Sequence, residues 1–207
     1  MTEIKVTKEL KGVNLPKTKL GLTKMNVLVR SAEKLFSKKG FYDTSIADIC
    51  KRARTAVGTF YIYFENKVAL YRYLVEQYRL EIHSVLAAAT ASCETRIQKE
   101  REGIRAFIDY AAKKPNVYDI IWGSLSVDKQ IFIDYYVSFA ESYRRGLTRE
   151  GDAIKTNDCL TLAYALMGIT NFVGLRAIFE EMTPDQIDTM VDECVMKLLR
   201  SGAFVDE

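Results

Sequence analysis

The sequence predicts an all-α protein of about nine helices, and three observations carry that prediction. Only three prolines (Pro16, Pro115 and Pro184) punctuate 207 residues, each where a helix can begin or end. Apolar residues recur at three- and four-residue spacing through nearly the whole chain. No internal repeat, low-complexity tract or glycine-rich linker interrupts them, so no turn-rich β pattern emerges. With 48% hydrophobic and 28% charged residues, the composition is that of a globular protein able to bury a substantial core.

Residues 1–16 are polar and lysine-rich and predict a flexible basic arm. From about Thr18, Met25, Leu28, Val29, Ala32, Leu35 and Phe36 fall on one helical stripe. Gly40 supplies the stop, with Phe41 as the apolar contact beyond a glycine cap. Thr44 or Ser45 begins a second helix, and Ser45 with Asp48 resembles a capping box. Ile46, Ile49 and Cys50 give it one apolar face, and a turn is expected around Arg52–Arg54.

Residues 59–64, TFYIYF, are all β-branched or aromatic and locally β-prone. A lone strand among helices would orphan its backbone donors, so a helix starting at Ala56 is the better reading. On it Phe60 and Phe64 fall together, flanked by Val57 and Tyr61. Gly58, Thr59, Ile62 and Tyr63 lie opposite.

Asn66 caps the next helix, Lys67 to about Ala89, with Leu70, Leu74, Tyr78 and Ile82 in step. Further helices span about Thr95–Lys113 and Pro115–Leu125. Asp128–Gly151 carries an aromatic stripe, and Asn157–Met182 is apolar nearly all round. Thr183-Pro184-Asp185-Gln186 combines a cap, an N1 proline and an N3 glutamine at the start of the last helix, which runs to about Arg200.

The net charge of +3 hides an asymmetry. Residues 1–60 hold ten lysines and three arginines against five acids, a net +8, whereas the remainder is acidic at −5. That split suggests a polyanion-facing N-terminal part on an acidic body. The four cysteines are scattered, with no CxxC, and His83 is the one histidine, so neither a metal site nor a cofactor is expected. They read as reduced thiols of a cytoplasmic protein. The N-terminus lacks an apolar run suited to a signal peptide, and Leu160–Leu175, at 16 residues with Asn171 inside, is short for a membrane span. No nucleophile elbow, phosphate-binding glycine loop or HExxH occurs, which argues against an enzyme.

A short helix, a tight turn and a second short helix with a glycine and hydroxyls on its outer face is the layout of a helix-turn-helix DNA reader. Lys51, Arg52, Arg54 and Lys67 would supply cations for phosphates. The competing readings are a helical scaffold that docks a protein through this head and, less favoured, a helical-bundle enzyme.

Residues 27–70, VLVRSAEKLFSKKGFYDTSIADICKRARTAVGTFYIYFENKVAL, resemble the DNA-binding domain of TetR-family (TetR/AcrR-like) transcriptional regulators. Ala32, Phe36, Gly40-Phe41, Thr44, Ile46, Asp48-Ile49, Ala53, Gly58-Thr59, Tyr61, Tyr63-Phe64, Lys67 and Leu70 carry the likeness without a gap. The resemblance implies a helix-turn-helix domain over 17–66 and a ligand-binding and dimerisation domain over 67–207. It assigns Thr44, Tyr61 and Lys67 to phosphates, and Thr55, Ala56, Gly58, Thr59 and Tyr63 to the major groove. Phe36, Ile49, Phe60 and Phe64 would hold the reading helix down. Two positions depart from the family. Arg54 stands where glycine is usual; arginine can complete such a turn if its φ stays negative, and it adds a cation facing DNA. Ala56 stands where serine is usual, with Thr55 expected to replace part of the lost cap.

The resemblance further implies a homodimer on a palindromic double-stranded operator, formed through helices near 157–182 and 184–200, and release by a small effector. An aromatic pocket is expected from Tyr78, Trp122, Phe132, Tyr136, Phe139 and Tyr143, joined by Tyr164, Met167, Asn171 and Phe172. Similarity of 134–147 and 162–179 to regulators of lipophilic ligands makes a fatty acyl-like effector the expectation, with Arg176 or Arg144 meeting its head group. Repression is the expected mode, and no membrane partner is implied.

Overall fold

The computed structural model describes residues 9–114, 116–149 and 154–202, so Pro115, the first eight residues and the stretch around Gly151 lie outside it. Nine helices form among the described residues: α1 (Lys19–Lys39), α2 (Ile46–Ala53), α3 (Val57–Tyr63), α4 (Lys67–Thr90), α5 (Arg96–Lys113), α6 (Asn116–Val127), α7 (Lys129–Arg149), α8 (Cys159–Phe179) and α9 (Pro184–Met190). The last continues through a π-helical stretch, Val191–Met196, into Lys197–Gly202.

Local chemistry sets most boundaries. Thr18, Ser45, Thr95 and Thr183 cap α1, α2, α5 and α9, and the last three close full capping boxes with Asp48, Gln98 and Gln186. Asn66 Oδ1 accepts from the Ala69 N–H at the start of α4. α1 ends at Gly40, whose φ of 83° is open to glycine at little cost.

The chain divides into two compact units, with the division inside α4 after Leu80 instead of at residue 66. The first comprises residues up to 80 together with 116–135. Its core holds Met25, Leu28, Phe36, Ile49, Phe60, Phe64 and Leu70, all buried. Phe36, Phe41 and Tyr71 add a ring cluster with centroids 5.3–5.5 Å apart. α6 belongs to this unit: Ser37 Oγ donates to Asn116 Oδ1 (2.6 Å) and Tyr71 Oη to the Ile120 carbonyl (2.6 Å).

The second unit, residues 81–115 and 136 onward, has a core of Ile104, Ile108, Leu147, Leu166, Val191 and Val195. Two arginines one helical turn apart on α5 clamp the final helix: Arg101 is bidentate to Asp192 (2.6 and 2.8 Å), and Arg105 meets Asp188 at 2.5 Å.

One expectation fails early. The described part of the N-terminal arm is anchored to the first unit: Val13 forms an isolated antiparallel bridge with Phe64. Asn14 N–H donates to the Tyr63 carbonyl (2.8 Å) and Glu65 N–H to the Gly12 carbonyl (2.9 Å). The β-prone hexamer therefore ends in one extended residue, Phe64 (φ −134°, ψ 125°), and that residue finds a partner.

Candidate nucleic-acid interface

The turn between α2 and α3 is built by backbone hydrogen bonds. Thr55 N–H returns to the Cys50 carbonyl (3.0 Å) and Arg54 N–H to Lys51 (3.3 Å), the paired pattern that closes a helix through a left-handed residue. Arg54 is that residue, at φ 53°, ψ 47°. The condition of a negative φ is not met: the turn's hydrogen bonds dictate the conformation, and arginine accepts the strain that glycine would avoid. α3 then starts at Val57 behind Ala56, an N-cap with no side-chain hydrogen bond, so the lost serine cap is not replaced.

On α3 the faces divide differently from the wheel. Phe60 and Phe64 are buried as expected. Tyr63, expected to line a groove, is only 5% exposed. Residues three apart on a helix sit about 60° apart, so Tyr63 shares the inner face with Phe60 once Phe64 has left the helix. The outer face carries Ala56, Val57, Gly58, Tyr61 and Ile62, with Thr55 and Thr59 at its margins. Tyr61 is 52% and Ile62 62% exposed. A Cβ built on Gly58 would meet nothing within 4 Å, so this outer surface is flat and open at its centre. Val57, which the wheel set beside Phe60 and Phe64, lies on the exposed side, and Ile62 lies there as the wheel placed it.

Two of the expected phosphate contacts serve the fold. Thr44 is 1% exposed and its Oγ1 donates to the Gly40 carbonyl (2.7 Å). Lys67 Nζ donates to the carbonyls of Phe41 and Thr44 (2.6 Å each) and lies 4.2 Å from the Phe41 ring centroid. Burial pulls the Lys67 ammonium below the ordinary lysine pKa. Two of its three donors hold the α1–α2 loop, a long-range contact that spacing does not reveal. The exposed cations beside α3 are Lys51, Arg52 and Arg54. Asp48 is held well below the usual carboxylate range by Lys39 Nζ (2.9 Å) and by Ser45, which keeps the α2 cap charged.

The expected pocket residues fall in different environments. In the first unit Tyr78 is buried and donates to Glu33 (2.6 Å), Phe132 is half-buried and Trp122 is exposed. In the second, Phe139 is buried against His83 (centroids 4.5 Å) and Met167 is buried. Tyr136 and Asn171 are half-buried, and Asn171 Nδ2 donates to the Met167 carbonyl (2.7 Å). Tyr143 Oη donates to Glu100, which also pairs with buried Arg96. Burial pushes the Tyr143 hydroxyl up to about 12, so it remains a donor to that carboxylate. Tyr164 and Phe172 point outward with Leu160 and Phe179, and Arg176 pairs with Glu180 on the surface (3.0 Å). These three are therefore surface groups of α8, and the helix is not buried on all sides. By length and composition alone, α8 is also apolar enough to cross a membrane.

Residues 28–74 match the family of bacterial regulatory proteins, tetR family. The uncharacterized HTH-type transcriptional regulators YuxN and YvdT of Bacillus subtilis are 38% identical over 55 residues and 45% over 56 residues. Each alignment takes in 27% of this chain, and the chain spans 19% and 28% of those relatives' lengths. A protein of Syntrophomonas wolfei, classed with TetR-family transcriptional regulators, has a similar fold (TM-score 0.75, 22% identity, 90% of this chain and 99% of that one). The fatty acid degradation regulator FadR of Bacillus halodurans is also similar in fold (TM-score 0.73, 15% identity, 89% and 96%).

Proposed function

We propose that this chain, a member of the tetR family of bacterial regulatory proteins through its residues 28–74, is a DNA-binding transcriptional repressor that works as a homodimer. One observation supports the reading above all: the outward face of α3 is open and carries a glycine, a phenol and apolar groups, with the cations of the α2–α3 turn beside it. Thr55, Ala56, Gly58 and Thr59 are proposed to face base edges, where methyl and hydroxyl groups discriminate bases. Tyr61, Arg52 and Arg54 take the phosphates, and Ile62 offers an apolar contact to thymine methyls.

A single α3 covers few base pairs, so a two-fold pair on a palindrome is the expected assembly. The exposed Leu160, Tyr164 and Phe172, in line along α8 with half-buried Gly168 between the last two, together with exposed Leu198, suit a second copy better than water. That assembly also accounts for the hydropathy of α8 without a membrane, in keeping with a cytoplasmic protein. A small apolar effector, fatty acyl-like in the first instance, is proposed to release the DNA. Support for that class is confined to the aromatic content of the second unit and the fold likeness to FadR.

The test is gel filtration followed by a gel shift on the DNA upstream of the chain's own gene. A dimer that binds with a steep salt dependence, and that Tyr61→Ala weakens, is the expected result. A monomer indifferent to DNA at low salt would sink the reading in favour of a protein-docking scaffold.

A further inference from the structure

α3 is seven residues long, is drawn from β-prone residues and lacks an N-terminal side-chain cap. A helix that short is marginal by itself and leaves its last carbonyls unsatisfied. Here the chain far upstream supplies donors to two of them. Asn14 N–H donates to the Tyr63 carbonyl at 2.8 Å, and Asn14 Nδ2 reaches the Ile62 carbonyl at 3.4 Å. Val13 bridges Phe64, and the Gly12 carbonyl accepts the Glu65 N–H at 2.9 Å.

The segment is itself held from behind. Val13 N–H closes a turn onto the Leu10 carbonyl (3.0 Å). Arg72 of α4 donates through Nη1 to the Lys11 carbonyl (3.0 Å) and through Nη2 to Asp128 (2.7 Å). Gly12 has φ 76°, and a Cβ there would lie 2.9 Å from Glu65 Oε2 and 3.1 Å from Ala69 Cβ. Only glycine fits that left-handed, closely packed position without strain.

We infer that residues 10–14 form a strap whose backbone caps the C-terminal end of α3, making Gly12 and Asn14 positioning residues for DNA recognition. The strap acts through main-chain hydrogen bonds at α3 and not through the lysine charges of the arm. Its part in recognition rests on the DNA-reading role proposed above; its grip on α3 does not.

The experiment uses the full chain and variants that leave every charge in place. Asn14→Pro deletes the backbone donor, and Val13 is already extended, the conformation that a following proline demands. Gly12→Ala forces the left-handed position, and Asn14→Ala keeps the main-chain donor as the conservative control. In the DNA-free protein, amide exchange over residues 60–65 is expected to quicken roughly three- to tenfold in Asn14→Pro and Gly12→Ala, and much less in Asn14→Ala. Operator affinity should fall in the same order while the slope of log K against log salt stays that of the parent. Unchanged exchange in both strained variants would overturn the strap. A reduced salt slope would overturn it too, by showing that the arm contributes charge. Should the parent bind no DNA, the function proposed above fails, yet the exchange measurement still decides whether the strap holds α3.

Discussion

Replacing Arg54 by glycine should move stability and DNA affinity in opposite directions. Arg54 sits at φ 53°, ψ 47°, fixed there by the Thr55 and Arg54 N–H bonds back to α2. A side chain in that conformation costs roughly 1–2 kcal/mol. Glycine removes that strain but loses about 0.5–1 kcal/mol more in unfolded-state entropy. The net expectation is a gain of about 0.5–1 kcal/mol, a rise of roughly 1–4 °C in Tm for a chain of this size. The same change deletes an exposed cation beside α3. If Arg54 neutralises one phosphate in each half-site, the salt slope of a dimer shrinks by about 1.8, at about 0.9 for each lost contact. Arg54→Ala separates the two effects, because it keeps the strain and loses the charge. Thermal melts and a fluorescence titration over several salt concentrations read both. A destabilised Arg54→Gly would refute the left-handed turn, and an unchanged slope would refute the phosphate contact.

Lys67→Met strands the carbonyls of Phe41 and Thr44 in a half-buried loop and should cost about 1–3 kcal/mol, seen as a lower urea midpoint even without DNA. Acid should loosen α2 through Asp48. Its carboxyl is depressed in the folded state by Lys39 and Ser45, so its stabilisation is complete above the unfolded value near pH 4 and fades as pH falls below it toward the folded value. Melts from about pH 5 down to about pH 2.5 should show a steeper loss for the parent than for Asp48→Asn. Equal slopes would mean that the pair with Lys39 does not form in solution.

The helices were legible nearly to the residue because their ends are written in local chemistry. Ser45 with Asp48, Thr183 with Gln186, Asn66 and Gly40 each act within one turn of the chain. Where the structure departs from the sequence reading, hydrogen bonds and packing that residue type does not announce set the outcome. Thr44 and Lys67 carry the residue types that phosphates favour, yet they close a loop around Gly40–Thr44. Tyr63 has a polar tip and still turns inward, because the helix stops there and Phe60 draws it to the same face. The arm looked free because its lysines and glycine carry no periodic apolar pattern; its hold on α3 runs through backbone atoms, which every residue but proline possesses.

By itself, the amino-acid order determined the helix count, the caps, the two short helices with their turn, and the concentration of positive charge at the N-terminal end. Those properties follow from propensities and contacts within a few residues. Tertiary structure alone decided that Val13 and Asn14 complete the end of α3 and that Gly12 meets Glu65 beside it. These are settled by packing and hydrogen bonds between segments some fifty residues apart, such as Asn14 with Tyr63, and no local pattern records them.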